Sequence, residues 1–467
     1  MENRRVGKLL LAGVLLLALA GWCTGLVWGA EPPPASPPPE VQEEAAPEEK
    51  PEKPPVEPKY LPGIPAPRPS STLEVGPVTG SLAPYGYSFG YDSLSRGGIP
   101  HRLGPVRAYP YLEFDEVYRT NVFQTYGDKK ADWLEVVNPG MRFELPLAQQ
   151  HRLSVGYLGN YFFYNRYSDQ SHLDHNVNAD AAFNFPGGLN FRVGSGFRDA
   201  VEEATAQNTR QRPYDRVTPY LVAGYKVSER TKLEWNYQYD TLLFKDSVDR
   251  INSYGENTAS MTAFYKFWPK TAALVQYIFT ARNYPDFAQD NNIANTALAG
   301  LTWDPTAKLT GTVKFGYTWK DYNEVVGGRN NTPKNWALSI QTLYRYSRYT
   351  NITLIAQRSL QEDSDSNNSP YTNTGFLLTV NHFIHYWKVN TYAGITYYNN
   401  AYVNPTLNGK VLETREDNIF GVVAGVSRPL NRWIRLRVDY AYQDKSSNFN
   451  SFSYMEHKVL LGAQASF

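Results

Sequence analysis

Apolar and polar residues alternate at every second position in many short runs of this chain. In residues 232–240, KLEWNYQYD, one parity holds only Leu, Trp and Tyr, and the other holds only charged and amide residues. Successive side chains of a β-strand point to opposite sides, so this period predicts a strand with one apolar and one polar face. The apolar face would be the core of a soluble sandwich, but it would face lipid in an outer-membrane barrel.

The connections between the runs favour the barrel. Short links such as FPGG, VSER and DPTA alternate with long polar stretches such as RDAVEEATAQNTRQRPYD and NNAYVNPTLNGKVLETRED. Short periplasmic turns and long extracellular loops alternate in this way in outer-membrane barrels. Counting from a first strand near residues 109–123 gives about 18 strands, each near the ~9 to 11 residues that a tilted spanning strand needs. The even number predicts that both termini lie in the periplasm.

The predicted fold class is therefore all-β: a closed antiparallel transmembrane β-barrel of about 18 strands with a disordered Pro-rich N-terminal segment. Residues 1–29 have the basic start and apolar stretch of a signal peptide, and residues 30–70 form a Pro/Glu-rich linker that cannot pack a core. Residues 71–106, rich in Gly and Tyr, are interpreted as a periplasmic segment or a lumenal plug. Residues 107–467 are the predicted barrel.

Composition agrees with this class and excludes others. The chain has Lys+Arg 46 against Asp+Glu 45, which gives no reason to expect a nucleic-acid partner. Tyr 35, Phe 22 and Trp 10 suit aromatic belts at two membrane interfaces. The single cysteine, Cys23, lies in the predicted leader. Lipidation of Cys23 is an alternative to cleavage of an ordinary signal peptide. In either case we expect no disulfide and no thiolate metal site in the barrel. We expect no cofactor and no metal.

The last residues, LLGAQASF, are similar to the C-terminal signal that the barrel-assembly machinery recognises. Phe467 ends the chain on a predicted strand, and Gly462 lies five residues before it. We therefore predict that Gly462 and Phe467 belong to an assembly signal.

Two motifs at the start of the barrel carry a family resemblance. PYLEFDEVYRTNVFQT, residues 110–125, has a Glu-x-Tyr and an Asn-Val-Phe pattern, and DWLEVVNPGMRFEL, residues 132–145, has Pro-Gly. The chain resembles in these motifs the outer-membrane β-barrel family often called BBP2. The resemblance implies a Gram-negative outer-membrane barrel, in some cases associated with exopolysaccharide or capsule export.

The histidines are the candidates for catalysis. His172, Asp174 and His175 lie near a long loop, but His175 points to the other face of a strand, and no acyl-hydrolase signature accompanies them. Solvated loop residues are the alternative interpretation. His382 and His385 fall at a predicted short turn, where interfacial anchoring is the simpler role.

Two other stretches have the composition of ligand sites. Glu362, Asp363 and Asp365 could offer oxygen ligands to Ca²⁺, but they lack the regular spacing of a calcium loop. Gly327 and Gly328 are interpreted as a turn and not as a phosphate-binding loop, because no phosphate-binding pattern surrounds them. Neither stretch changes the expectation of a barrel without a metal.

Parity assigns a set of charged residues to the water-filled interior or its rims, and this set leans basic. It predicts a mild anion preference, because charges that line a narrow pore concentrate counter-ions. The pore-lining candidates are Arg152, Lys232, Glu234, Asp240, Lys314, Lys320, Arg345, Lys388, Arg435, Arg437 and Asp439.

The predicted function is a porin-like channel or the outer pore of an exopolysaccharide or capsule export system. The alternatives are a structural or adhesive barrel that displays its loops, and an outer-membrane hydrolase. The expected partners are outer-membrane lipid, lipopolysaccharide and the barrel-assembly machinery. Export components or the cell wall are further partners that the N-terminal linker could reach.

Overall fold

The computed structural model describes residues 101–466 except 149, 206–207, 304–307, 325–328, 364–369 and 409–410. These residues form nineteen β-strands in one sheet. The strands are β1 (His101–Leu103), β2 (Val106–Arg119), β3 (Asp132–Leu147), β4 (His151–Tyr164), β5 (His172–Asn184), β6 (Leu189–Glu202), β7 (Arg212–Lys226), β8 (Thr231–Phe244), β9 (Tyr254–Trp268), β10 (Thr271–Asn283), β11 (Asn292–Trp303), β12 (Leu309–Tyr322), β13 (Lys334–Arg345), β14 (Thr350–Gln361), β15 (Tyr371–Ile384), β16 (Val389–Asn408), β17 (Val411–Pro429), β18 (Ile434–Ser447) and β19 (Tyr454–Ser466).

Strands β2 to β19 form a closed antiparallel barrel of eighteen strands. Each strand pairs with its neighbours in the sequence, and β19 returns to pair with β2 from Ser466–Tyr111 to Lys458–Arg119. Closure gives every spanning strand two partners, so that no unpaired edge faces lipid. The predicted fold class is confirmed.

The two ends of the barrel differ in their connections. At one end, which we call the turn end, neighbouring strands are joined by short turns such as residues 185–188, 227–230 and 385–388. At the other end, the loop end, the connections include residues 120–131, 203–211, 323–333 and 362–370. Four short 3₁₀ helices lie at the loop end: Ser168–Gln170, Arg250–Asn252, Ala288–Asp290 and Asn450–Phe452. No helix among the described residues is long and apolar enough to cross a membrane.

Exposure along the strands follows the alternation of the sequence. In β8, Trp235 and Tyr237 are exposed on the outer surface, whereas Glu234 and Asp240 are buried on the inner one. Apolar residues thus face the surroundings of the barrel and polar residues face its interior, the reverse of a soluble protein.

One predicted loop is wrong. Residues 399–417 were expected to form a long polar loop, but β16 and β17 continue through most of this range as a hairpin that pairs as far as Asn408 and Val411. Tyr402, Val403 and Leu412 favour strand conformation, and cross-strand pairing outweighs the polar composition of this stretch.

The segment before the barrel is described only at its end. His101–Leu103, which the sequence places in the predicted tether or plug, forms β1 and pairs with β2 below the point where β19 ends. The predicted signal peptide, the linker and residues 71–100 lie outside the described residues.

Candidate pore interior

A ring of ion pairs lines the inner wall near the loop end, where strands and loops meet. Each base of this ring contacts at least one carboxylate, and its charges balance. The pairs are Arg119–Glu456, Arg198–Asp174, Arg212–Glu202, Arg216–Asp240, Arg282–Glu256, Lys320–Glu362 and Arg415–Asp417.

Arg119 is the most buried centre of this ring. Its Nε donates to Glu456 at 2.7 Å and its Nη1 donates to Glu203 at 2.8 Å, and the Arg119 side chain is only 3% exposed. Glu203 belongs to the 203–211 loop and also accepts from the Tyr164 hydroxyl at 2.8 Å. Burial alone would raise the pKa of Glu203, but Arg119 and Lys458 lower it to about 2. The loop is therefore attached to the inner wall by a carboxylate that stays ionised.

A second loop is attached in the same way on another part of the wall. Glu362, at the start of the 362–370 loop, contacts Lys320 of β12 and accepts from the Tyr322 hydroxyl at 2.8 Å. Burial would raise the pKa of Glu362, but Lys320 and Arg282 lower it below its usual range. This carboxylate neutralises buried bases, which explains its position without a Ca²⁺ ion. Asp365 and the Gly327–Gly328 turn lie outside the described residues.

The inner wall at the turn end carries a different balance of charge. Arg152 and Arg192 both approach Asp180, at 3.7 and 3.6 Å, and Arg142 lies 3.5 Å from Glu144. Among the described residues with inward parity in this half, bases outnumber the acids Glu144, Asp180, Glu234 and Asp439. The bases are Arg107, Arg142, Arg152, Arg192, Lys226, Lys232, Lys266, Lys314, Arg345 and Arg435.

A cluster at mid-height joins β18 to β2, the first barrel strand, across the last strand β19. Arg437 of β18 reaches over β19 and contacts Glu113 and Asp115 of β2, each at 2.8 Å. The β19 residue between them is Gly462, where an added Cβ would overlap Asp115 Oδ1 and lie 2.8 Å from Arg437 Nε. Gly462 therefore leaves the space that the ion pair across the closing strand requires. Its assembly-signal role stays a prediction, and Phe467 lies outside the described residues.

The predicted pore-lining residues fall into two groups. All except Lys388 lie on strands at inward positions. Five of them are buried there: Glu234, Asp240, Lys314, Lys320 and Asp439. Lys388 is instead an exposed residue of the 385–388 turn with φ 52°. The alternation does not extend through this left-handed turn, so Lys388 can act only at the rim. The part that these residues play in conduction stays a prediction.

The candidate catalytic histidines have packing partners. His172 stacks on Phe162 with ring centroids 4.6 Å apart, and Asp174 of the same inner face binds Arg198 at 3.1 Å. His175 points outward, and its Nδ1 lies 3.0 Å from the Tyr157 hydroxyl. The ring of His385 in its turn lies 5.8 Å from that of Tyr349. The His172–Asp174–His175 stretch thus does not converge on one point.

The attachment of the two loops to the inner wall could not be predicted from the sequence. The period of two places Glu456 and Lys458 of β19 on the inner face. The sequence alone could therefore have predicted that these two residues face Arg119 from inside the barrel. Glu203 and Glu362 follow the last residues of their strands, and no periodicity extends to them. Only the fold brings Glu203 to Arg119, which is 84 positions away in sequence.

An eighteen-stranded closed barrel with an apolar outside and a charged inside defines a porin-like outer-membrane barrel. The chain belongs to the family described as "Putative beta-barrel porin 2", whose model matches residues 98–467. The resemblance of the two N-terminal motifs is thereby confirmed. No curated protein matches the chain.

The solved structures to which the chain is similar include three bacterial proteins. Pseudomonas aeruginosa OpdK with vanillate has 11% identity and TM-score 0.42, covering 77% of this chain and 99% of its own. P. aeruginosa OccK2 (OpdF) has 10% identity and TM-score 0.44, with coverage of 78% and 98%. Acinetobacter baumannii OccAB4 has 11% identity and TM-score 0.43, with coverage of 78% and 99%.

Proposed function

We propose that this porin-like barrel is a passive channel for small anionic solutes. The observation that carries the proposal is the excess of inward bases at the turn end, next to a loop end whose charges balance. Fixed charges on the wall of a narrow aqueous pore raise the local concentration of ions of opposite sign. A net basic stretch therefore favours anions over cations of the same size.

Attachment of two loop starts to the inner wall favours small solutes. Glu203 and Glu362, the first residues of two loops, bind Arg119 and Lys320 on the inner wall at the loop end. Inward loops narrow a barrel of this strand number, which otherwise encloses an aqueous channel. This supports a channel for small solutes rather than an open export pore for a polymer.

We further propose that the loop end faces the cell exterior. Outer-membrane barrels place their short turns in the periplasm and their longer loops outside. In this orientation the basic half of the lumen is the periplasmic half.

Liposome swelling with matched solutes tests the channel proposal. Folded protein reconstituted into liposomes should admit a small carboxylate faster than a cationic or neutral solute of equal size. Conductance steps in a planar bilayer should accompany this uptake. Protein that is folded by heat modifiability but produces no steps, or that admits the cation fastest, would refute the proposal.

A further inference from the structure

An arginine of β14 lies on the outer surface of the barrel. Its chain neighbours Gln357 and Ser359 are buried on the inner face, and alternation turns Arg358 outward. Arg358 pairs in register with Leu338 on one side and Thr374 on the other. It therefore lies on the face of β14 that also bears the outward residues Ala356 and Leu354.

Arg358 is seated on exposed aromatic side chains. Its guanidinium carbon lies 4.4 Å from the ring centroid of Trp336, and the Trp336 ring lies 5.9 Å from that of Phe315. Trp336 is 42% and Phe315 59% exposed, so this stack faces the surroundings of the barrel. Stacking holds the planar guanidinium in one orientation while its charge remains.

The hydrogen bonds of Arg358 go only to neutral acceptors. Its Nη1 donates to Thr374 Oγ1, and its Nη2 donates to Asn335 Oδ1 at 3.2 Å. None of the ion pairs between described residues includes Arg358, in contrast to the arginines of the loop-end ring. A positive charge at the lipid face is costly near the membrane centre and tolerated at the interface, where an anion can meet it.

The height of Arg358 in the barrel matches the interface. It is the fourth residue from the loop end of β14, and Asn257 and Asn295 are the fourth residues from the loop ends of β9 and β11. These two asparagines accept outer-surface hydrogen bonds from Tyr237 at 2.8 Å and Tyr277 at 2.6 Å. Tyrosine hydroxyls with polar partners are typical of the headgroup level.

We propose that Arg358, seated on Trp336, binds the phosphate of a membrane-lipid headgroup at the loop end of the barrel. Nε of Arg358 is buried, but each Nη has a second N–H besides the one that it donates to Thr374 or Asn335, and these donors suit a phosphate. The surrounding aromatic surface suits the acyl region below it. The ligand class is a phosphorylated lipid of the leaflet at the loop end. This site is independent of the lumen and of the solute that the channel passes.

Native mass spectrometry of the detergent-solubilised, folded full chain can test the site. Bis-phosphorylated lipid A is the probe, and the dephosphorylated lipid is its control. We expect Arg358→Gln to weaken binding of the phosphorylated lipid about tenfold, the loss of one charge-assisted contact. Arg358→Lys should restore part of the affinity. Neither variant should alter binding of the dephosphorylated lipid.

The matched control is Arg198→Gln, which removes an arginine on the inner face that pairs with Asp174. It should leave lipid binding unchanged. Equal affinity in the native protein and Arg358→Gln would overturn the proposal, as would equal binding of both lipids by the native protein. Full displacement of the lipid by millimolar inorganic phosphate would assign the site to soluble phosphate instead and would also overturn it.

Discussion

The two halves of the lumen use charge in different ways. Near the loop end, bases and acids form close ion pairs, as in Arg216–Asp240 at 2.6 Å and Arg282–Glu256 at 2.7 Å. Near the turn end, Arg152 and Arg192 share the single carboxylate of Asp180. Balanced pairs cancel at a distance, so the first half holds strands and loops together. Under the proposed channel function, the excess of the second half is the charge that a passing ion would meet.

The largest expected effect comes from breaking the buried centre of the loop-end ring. Arg119→Ala leaves Glu456 and Glu203 without their shared base, and loss of one partner from a buried ion pair costs about 3–5 kcal/mol. The unfolding midpoint in urea, measured on protein in liposomes, should fall accordingly.

Arg198→Ala is the matched control for this change, because the Arg198 side chain is 45% exposed in its pair with Asp174. Asp174 itself is only 4% exposed but keeps a hydrogen bond from the Val201 N–H, so losing its solvent-screened base should cost less than losing Arg119. Equal destabilisation by the two variants would show that burial does not set the strength of the ring.

An intermediate effect is expected at the closing strand. Gly462→Ala forces Asp115 and Arg437 apart and should destabilise the barrel by about 1–3 kcal/mol, the usual cost of overpacking. Gly187→Ala, in a turn where a Cβ meets open space, should have little effect. Urea unfolding of both variants would separate a steric role from an assembly signal. If Gly462→Ala lowers outer-membrane levels but leaves the unfolding midpoint unchanged, the steric account fails.

The smallest effect concerns pH and the 203–211 loop. The pKa of Glu203 is lowered on folding to about 2, so its contribution is present above the unfolded value of about 4.3 and is lost as pH falls from there toward 2. Single-channel conductance should therefore be as steady at pH 5 as at pH 7. Glu203→Gln should produce current fluctuations already at pH 7. Fluctuations of the native channel between pH 7 and 5 would argue against this attachment.

Local periodicity was enough to predict the barrel but not the arrangement of its charges. The period of two in 232–240 gave the faces of β8, because inside and outside are alternate positions of one strand. It does not extend to Lys388, where a left-handed turn interrupts the strand and leaves the residue at the rim. The period also does not predict which charged residues form ion pairs. Arg437 was predicted to line the pore, and the structure adds that it contacts Glu113 and Asp115.

Arg437 is for this reason a poor probe of selectivity. Replacing it would leave two buried carboxylates uncompensated, so a change in current could reflect altered packing. Arg107, Lys226 and Lys266 are better probes, because they are exposed at the turn end and carry part of its basic excess.

The zero-current potential in a tenfold KCl gradient across a planar bilayer tests the central claim most directly. The native channel should prefer chloride, and Arg107→Gln/Lys226→Gln/Lys266→Gln should shift the potential toward potassium, more strongly at low salt, where screening is weak. The control Asp174→Asn/Arg198→Gln, which removes a balanced loop-end pair, should leave the potential unchanged. A native preference for potassium, or a triple variant with the native potential, would contradict the assignment of selectivity to the basic half of the lumen.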